Sequence, residues 1–432
     1  MQAKPHLTSP EIVIAKMPAL QGEAIAFFVA VVFALTYVAM ALGRIPGLGV
    51  DRSGIAMVAA VVLVAIGAIP NDQIADAIHF PTLLLMGGLM ILSARFGAAG
   101  FYDAAAAWIA RQAVRPLRLL MLTIASGGLF SALLINDIVV FAMTPLLCAG
   151  LAARNLDPRP FLFGLAAASN AGSVATLIGN PQNILIGQVG RLNFWHYLAL
   201  AIVPAVIGLA ITLACIAVVW RSTLTNAAAF SSANEPSFDR RQTSICGVAL
   251  FALLLLFTTS LPREISALLV AAFLIVSRTI PTRQLLDEID LPLLILFASL
   301  FVVNDAFART GIAEAALRSL ASHGWLPDRI LLLAPLTLLS SNTIGNVPAV
   351  VMLLTIWPGI PSGVLIGLAV LSTLAGNLVL VGSLANLIVV ERASVADVRL
   401  TFYDHAKTGV PVAVLSMLSA ALWLWFAGVM PL

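Results

Sequence analysis

Apolar runs long enough to cross a membrane recur along most of the chain, from residue 23 to residue 428. A hydrocarbon core of roughly 30 Å needs about 20 helical residues to span it. Three spans are predicted in each half of the chain, at 23–43, 54–70 and 81–97 and at 243–260, 264–280 and 292–308. A short amphipathic helix follows the third span, and a last span is predicted at 194–220 and at 408–428. The pattern therefore predicts an all-α polytopic membrane protein.

Polar residues interrupt two further apolar segments in each half. The segment 117–151 is too long for one crossing and carries INDI at its middle, which favours a re-entrant hairpin of two half-depth helices. Its counterpart is 328–357, and the segments 160–187 and 362–390 are predicted to be broken helices.

The two halves resemble each other in sequence. Residues 81–110 align without gaps with 292–321, and farther on Gly179 and Asn183 align with Gly382 and Asn386. Each half contains five full crossings, an odd number, so the second half must run upside down relative to the first. We therefore predict about ten crossings in two inverted repeats, with boundaries at 1–220 and 244–432 and a polar linker at 221–243.

Composition and charge agree with this class of protein. The chain is 61% hydrophobic and 10% charged, with a mean hydropathy of +1.03, whereas soluble domains carry about 25% charged residues. Under the ten-crossing arrangement most of the 23 Lys and Arg residues fall on one side, which predicts a multi-pass inner-membrane protein with both termini outside. The net charge of +3 is scattered and predicts no nucleic-acid partner. The three Cys have no metal-ligand spacing, so we expect no metal and no cofactor.

The four polar interruptions are the candidate functional segments. Irregular backbone at membrane depth is tolerated only where it is buried in protein or lines a watered cavity. The interruptions read LLINDIVV, SNAGSVATLIGNPQN, SSNTIGNVPAV and AGNLVLVGSLANL, and paired breaks of this kind indicate a transporter's binding site. The alternative is that they are helix kinks and polar contacts between helices. They contain no Lys, Arg or His, so a neutral or singly charged solute suits them better than a multiply charged anion.

Asp137 is the one acid in the breaks of the first half. An ionisable group at membrane depth costs about 2.5–3.5 kcal/mol and is a functional-site hypothesis by default. It is a candidate proton carrier or sodium ligand, or alternatively the cap of the outgoing half-helix. Its repeat counterpart is Val347. Asp305 is a weaker candidate, because Arg309 lies four residues later and can pair with it.

The stretches LINDIVVFAMTP and ASNAGSVATLIGNPQNILI, with SSNTIGNVPAVVML and AGNLVLVGSLANLIVV, resemble the ion transporter superfamily. The resemblance is to the arsenite-permease (ArsB) and sodium/proton-antiporter branch, and to bacterial anion permeases related to citrate and dicarboxylate carriers. It implies an elevator-type secondary transporter that is a homodimer. The residues that match the superfamily's hairpin tips and broken helices are Asn136, Asp137, Asn342, Thr343 and Asn346, and Ser169, Asn170, Thr176, Gly179, Asn180, Asn183, Asn377, Gly382, Ser383 and Asn386.

The chain departs from that pattern at two places. Several relatives in the branch carry an acid, as GDPPN, where this chain has Asn180, and the sodium-coupled dicarboxylate carriers have Ser-Asn-Thr where this chain has IND. The leading hypothesis is a secondary transporter of a small anion or oxyacid across the inner membrane, coupled to protons in preference to sodium. The substrate would be held by the amide-rich breaks, and Asp137 would carry the proton. A sodium/proton or other cation antiporter and a passive channel are the alternatives. The chain has no GxSxG, HExxH or P-loop motif, so an enzyme is not predicted.

Overall fold

The computed structural model describes residues 23–42, 49–112, 115–224, 238–276 and 280–432. The regular secondary structure of these residues is entirely helical. The helices of the first half are α1 (Glu23–Leu42), α2 (Arg52–Ala65), α3 (Ile74–Ala77), α4 (Phe80–Ala98), α5 (Phe101–Gln112), α6 (Pro116–Leu133), α7 (Asn136–Ala152), α8 (Arg159–Ser173), α9 (Pro181–Val189), α10 (Phe194–Val219) and α11 (Arg221–Leu224). Those of the second half are α12 (Arg240–Leu256), α13 (Arg263–Ile275), α14 (Thr282–Asp287), α15 (Leu291–Arg309), α16 (Ile312–Ser322), α17 (Ile330–Thr343), α18 (Asn346–Ile356), α19 (Ser362–Ala375), α20 (Leu384–Val395) and α21 (Phe402–Phe426). Short 3₁₀ turns lie at Asn71–Gln73 and Leu380–Gly382.

Six of the described helices, α1, α4, α6, α10, α15 and α21, are long and apolar enough to cross a membrane. Large apolar side chains project from the outside of the bundle, and Phe27, Val218 and Phe426 are 72%, 76% and 81% exposed. Water would penalise so large an apolar surface, whereas lipid does not. The chain is a multi-pass membrane protein.

The interruptions lie where the sequence predicts them. Helices α6 and α7 form a tight pair joined only by Leu134 and Ile135, and α17 and α18 form the corresponding pair joined at Gly345, whose φ is +95°. The chain leaves helical geometry between α8 and α9, and again between α19 and α20. Gly376 follows the last residue of α19, and Pro181 is the first residue of α9, where its missing N–H costs no helical hydrogen bond.

The packing between the two halves is reciprocal, because corresponding helices contact corresponding partners in the opposite half. Helix α4 packs on α13 while α15 packs on α2, and α7 packs on α20 while α18 packs on α9. Their helix caps also correspond. The His79 side chain accepts from the Thr82 N–H at the start of α4, and Asp290 accepts from the Leu293 N–H at the start of α15. Reciprocal packing of this kind is expected of two halves that are related by a two-fold axis. The boundaries of the two repeats stay a prediction.

The predicted linker and four predicted spans, 54–70, 243–260, 264–280 and 408–428, differ from the structure at their ends. Residues 221–224 are helical, and α12 begins at Arg240, so the 221–243 linker is too long as predicted, and its residues 225–237 lie outside the described part. Asp239 accepts the Gln242 N–H and thereby starts α12 before its apolar run. Helix α2 ends at Ala65 instead of residue 70, and Gly67 follows with a φ of +75°.

Helices α6 and α8 approach each other more closely than side chains would allow. A Cβ atom on Gly172 would overlap the backbone of Gly128. Small residues permit such close approach between helices in membranes. The first hairpin therefore rests directly on the first broken helix, which also packs against α10.

Candidate functional site

The breaks of both halves meet in one buried polar network around Asn170. The Asn170 Nδ2 atom donates to Asn377 Oδ1 at 2.8 Å and to Asn386 Oδ1 at 3.3 Å. Its Oδ1 atom accepts from the Ser383 hydroxyl at 2.9 Å and lies 3.5 Å from the Asn136 Nδ2 atom. All five side chains are buried. Residues from the first hairpin and from both broken helices therefore converge on one amide.

Thr373 of α19 occupies the corresponding position on the other side of the network. Its hydroxyl oxygen accepts from Asn180 Nδ2 at 3.3 Å and from Gln182 Nε2 at 3.1 Å, and lies 3.4 Å from Asn183 Oδ1. Asn180 Nδ2 also donates to the Ser173 hydroxyl at 2.8 Å. In the alignment that pairs Asn183 with Asn386, Thr373 is the counterpart of Asn170. The Asn170 and Thr373 clusters together form the polar network.

Asn183 closes the first broken helix. Its Nδ2 atom donates to the carbonyls of Ser173 at 3.3 Å and Thr176 at 3.1 Å, which the interruption leaves without helical partners. The same amide lies 3.2 Å from the Tyr197 hydroxyl. Its backbone N–H is capped by Asn180 Oδ1 at 2.9 Å. One side chain thus satisfies backbone that lipid could not.

Asn386 closes the second broken helix in the same way. Its Nδ2 atom donates to the carbonyls of Gly376 at 2.8 Å and Val379 at 3.3 Å. These acceptors are the repeat counterparts of the two acceptors of Asn183. The sequence match between the halves is therefore also a match of hydrogen bonds.

The first break is joined to the first hairpin through its backbone. The Asn136 N–H donates to Gly179 O at 2.9 Å, and the Thr176 hydroxyl donates to Ala132 O at 2.6 Å. A Cβ atom on Gly179 would lie 2.5 Å from Ser173 O and 2.7 Å from Ser131 O. Only glycine fits this position, because the hairpin and the break touch through main-chain atoms.

The predicted residues of the second hairpin are not all in the network. Asn342 donates to Ala375 O at 2.8 Å and accepts from the Val379 N–H, so it joins the second hairpin to the second break beside Gly382. Asn346 is buried at the start of α18. Thr343 is exposed, and its hydroxyl bonds only to carbonyls of its own helix.

Asp137 faces away from the polar network although Asn136 belongs to it. Its side chain is 6% exposed and lines a separate cavity of about 230 Å³. None of the described residues hydrogen-bonds its carboxylate. Asp305 instead pairs with Arg309 at 2.6 Å, as the sequence predicts.

Sequence reasoning missed five residues that the fold brings to the network, and two of them, Ser173 and Gln182, lie in the first break itself. Thr373 lies in an apolar helix and could have been found as the counterpart of Asn170. Tyr197 donates to Val174 O at 2.9 Å, and His405 Nε2 bonds to Asn377 O at 3.1 Å, so this nitrogen carries the proton. Both come from other helices, α10 and α21, and nothing in their local sequence indicates the contact.

Several polar atoms beside the network have no protein partner. Among the described residues these include Ser131 Oγ, Asn136 Oδ1, Ser169 Oγ and Ser372 Oγ, all buried. Buried polar groups are normally hydrogen-bonded, and an exception needs an explanation. Neutral hydroxyl and amide atoms of this kind can bind the oxygens and hydroxyls of a solute. Within the described residues no group of three or more His, Cys, Asp or Glu side chains could hold a metal ion.

Comparisons with known proteins agree with this architecture. The chain is 27% identical to a silicon efflux transporter of Oryza sativa subsp. japonica, over 88% of this chain and 94% of that protein. It is 26% identical to an uncharacterized transporter of Mycobacterium tuberculosis, over 91% and 96%, and 22% identical to the putative transporter arsB of Dictyostelium discoideum, over 86% of each.

A solved structure shares the fold. The crystal structure of the Alcanivorax borkumensis YdaH transporter, described as having an unusual topology, matches with a TM-score of 0.56 at 15% identity over 94% of this chain and 99% of that chain. The family model described as citrate transporter, CitMHS, matches residues 32–360. The chain is therefore a membrane transporter, not an enzyme, and it belongs to the CitMHS citrate transporter family of the ion transporter superfamily.

Proposed function

We propose that this transporter carries a small anion or oxyacid by proton-coupled alternating access, with the polar network as its substrate site. The observation that carries the proposal is the convergence of both breaks on Asn170 and Thr373, beside buried polar atoms that have no protein partner. Interrupted helices at matching positions of two halves mark the binding site in many transporters. Helices α7, α9 and α20 also begin at this point, and the positive ends of their dipoles favour an anion there.

The chemistry of the network favours a neutral or singly charged oxyacid. Its side chains are amides and hydroxyls, and the imidazole of His405 bonds to a backbone carbonyl and packs edge-on against the Phe163 ring. A multiply charged anion would need accompanying cations, because leaving a buried charge unpaired is expensive. The solutes to test are silicic acid, after the silicon efflux transporter, citrate, after the family name, and arsenite, which the resemblance to arsenite permeases suggests.

Asp137 supplies the proposed coupling group, because it is buried and adjoins Asn136 of the network. Binding a proton would neutralise it, and neutral groups cross the membrane interior at far lower cost than charged ones. Purified protein in liposomes should accumulate substrate above equilibrium when a pH gradient is imposed. Asp137→Asn should abolish that accumulation while the protein still folds. Asp305→Asn is the matched control, since this acid pairs with Arg309 away from the network.

The outcomes separate the alternatives. Accumulation driven by sodium alone would replace proton coupling, and proton movement without solute would indicate a cation antiporter. A solute flux that never exceeds equilibrium under any gradient would indicate a channel and overturn the proposal. A thermal-shift screen with silicic acid, arsenite, citrate and succinate at two pH values would identify the substrate class, since a ligand stabilises the state that binds it.

The elevator movement, the homodimer and the external termini are parts of the same proposal. The moving unit would contain α6–α10 and α17–α21, whose helices carry the network, and the remaining helices would form the scaffold. Cysteine cross-links between the two units that trap transport would support this division. Light scattering of the purified protein measures the oligomeric state, and tags accessible from outside intact cells would locate the termini.

A further inference from the structure

The cavity next to Asp137 has apolar walls and an acidic entrance. Met90, Ile135, Ile138, Phe141, Leu293 and Ile388 form its walls. Asp137 lies among these apolar side chains, and Asp287, Glu288 and Asp290 line the cavity beside them. Its volume of about 230 Å³ leaves room for several water molecules. Asp287 and Glu288 are exposed, so this end of the cavity meets solvent.

Asp290 lines the same cavity as the two exposed acids and Asp137. It is half-buried, and one carboxylate oxygen accepts from the Leu293 N–H at 2.9 Å. Burial raises the pKa of Asp290, the Leu293 N–H opposes that shift, and Asp51 of the neighbouring α2 start adds to it. At the equivalent position of the first half, the capping group is the imidazole of His79. Capping therefore requires no acid at this position, and the carboxylate at 290 is specific to the Asp137 side.

The charges around this cavity are predominantly negative. Two basic side chains belong to the neighbouring elements: Arg52, next to Asp51, donates to Met40 O at 3.2 Å, and Arg392 of α20 has its guanidinium 3.9 Å from the centre of the Phe141 ring. Arg392 stacks behind a wall residue and forms no ion pair with Asp137 among the described side chains. A cleft with low-dielectric walls and charges of one sign concentrates ions of the opposite sign.

We propose that this cavity is an entry site for monovalent cations, protons included, in which Asp290 is the receiving carboxylate and Asp137 the terminal one. An acidic rim alone would be an ordinary solvated surface. Here the buried, unpartnered carboxylate of Asp137 lines the same cavity, so a cation that enters it reaches the group next to the polar network. The inference rests on the proposed coupling role of Asp137 and adds a route and a second acid to it.

A charge-selective labelling experiment tests the cavity independently of transport. Ile138→Cys places a thiol in its half-buried wall, and wild-type protein gives the background from Cys148, Cys215 and Cys246. The reagents are two methanethiosulfonates of similar size, one bearing trimethylammonium and one bearing sulfonate. Each rate is divided by the rate of the same reagent with a free thiol in solution. Thr259→Cys is the control, since it lines a different cavity that also contains Arg191 and Arg263.

We expect the cationic reagent to label Ile138→Cys about tenfold faster than the anionic one after this correction, and we expect no such preference at Thr259→Cys. Adding Asp290→Asn or Asp287→Asn should lower the preference severalfold, and 1 M salt should do the same. Asp287 is exposed, so its substitution leaves the fold intact even if the Asp290 variant is unstable. Equal labelling by both reagents, or a preference that neither substitution changes, would overturn the proposal.

A transport measurement then distinguishes protons from sodium ions as the cation that enters the cavity. In liposomes, Asp290→Asn should slow uptake driven by a pH gradient and shift its pH profile, whereas uptake driven by sodium would identify sodium as the cation that enters. If neither gradient drives uptake but the labelling preference persists, the proposed coupling fails and the cation entry site stands. If a pH or sodium gradient drives uptake but the labelling preference is absent, the proposed coupling stands and the cation entry site fails.

Discussion

Replacing Asn386 by leucine tests whether the broken helices depend on the side-chain amides that bond to the carbonyls of each break. Leucine has a similar branched shape but no donor or acceptor, so Asn386→Leu removes the bonds to Gly376 O and Val379 O and also the Oδ1 acceptor of Asn170 Nδ2. If each of the three bonds contributes the average of about 0.6 kcal/mol measured between helices in membranes, the loss is about 2 kcal/mol. If each stranded carbonyl pays the full penalty of about 1–3 kcal/mol, the loss approaches 6 kcal/mol. Because the break excludes lipid and has few other donors, we expect about 2–4 kcal/mol.

The assay is reversible or kinetic unfolding of the detergent-solubilised protein, followed by substrate-induced stabilisation. Asn183→Leu is the matched variant, because its amide closes the first break through the counterpart carbonyls, and it should cost a similar amount. Both variants should also lose stabilisation by substrate. A variant Asn386→Leu that unfolds like the wild type and still responds to substrate would refute this account of the breaks.

Three further changes have expected outcomes that standard assays can check. Gly179→Ala should cost at least about 1–3 kcal/mol and abolish transport, because its Cβ would overlap Ser173 O; Gly247→Ala, which has open space around it, should be neutral in the same melting assay. Tyr197→Phe should lower the free energy of unfolding by about 1–3 kcal/mol through the stranded Val174 carbonyl, and unchanged melting would contradict that. Arg309→Ala should cost less than about 1 kcal/mol, because its pair with Asp305 is partly exposed, and a large loss of transport would assign the pair a role that the structure does not.

The helices and their interruptions could be predicted from sequence because each is a local property. Membrane-length apolar runs define α1, α10 and α21, and the polar residues with Gly and Pro mark where α8 ends and α9 begins. The match between the halves was also readable, since it depends only on comparing two stretches of the same chain.

The identity of the network's members was only partly predictable, because side-chain direction and long-range packing decide it. Asn136 and Asp137 are neighbours in sequence, yet successive helical residues point about 100° apart, so one meets Asn170 and the other faces a cavity. Thr343 follows Asn342 and points outward for the same reason. His405 is brought in by α21, and no local pattern indicates that approach.

The substitutions between the two halves of the polar network have a consequence for the pose of a bound solute. A polar network with identical halves would offer a solute two equivalent poses related by the two-fold axis. In this chain Asn170 of the first half corresponds to Thr373 of the second, an amide in place of a hydroxyl, and the acid at 137 corresponds to Val347. In the proposed substrate site, a solute would meet an amide on one side and a hydroxyl on the other. The two sides of the proposed site are not interchangeable, so a bound solute would keep one orientation relative to Asn170 and Thr373 whichever side of the membrane the site faces.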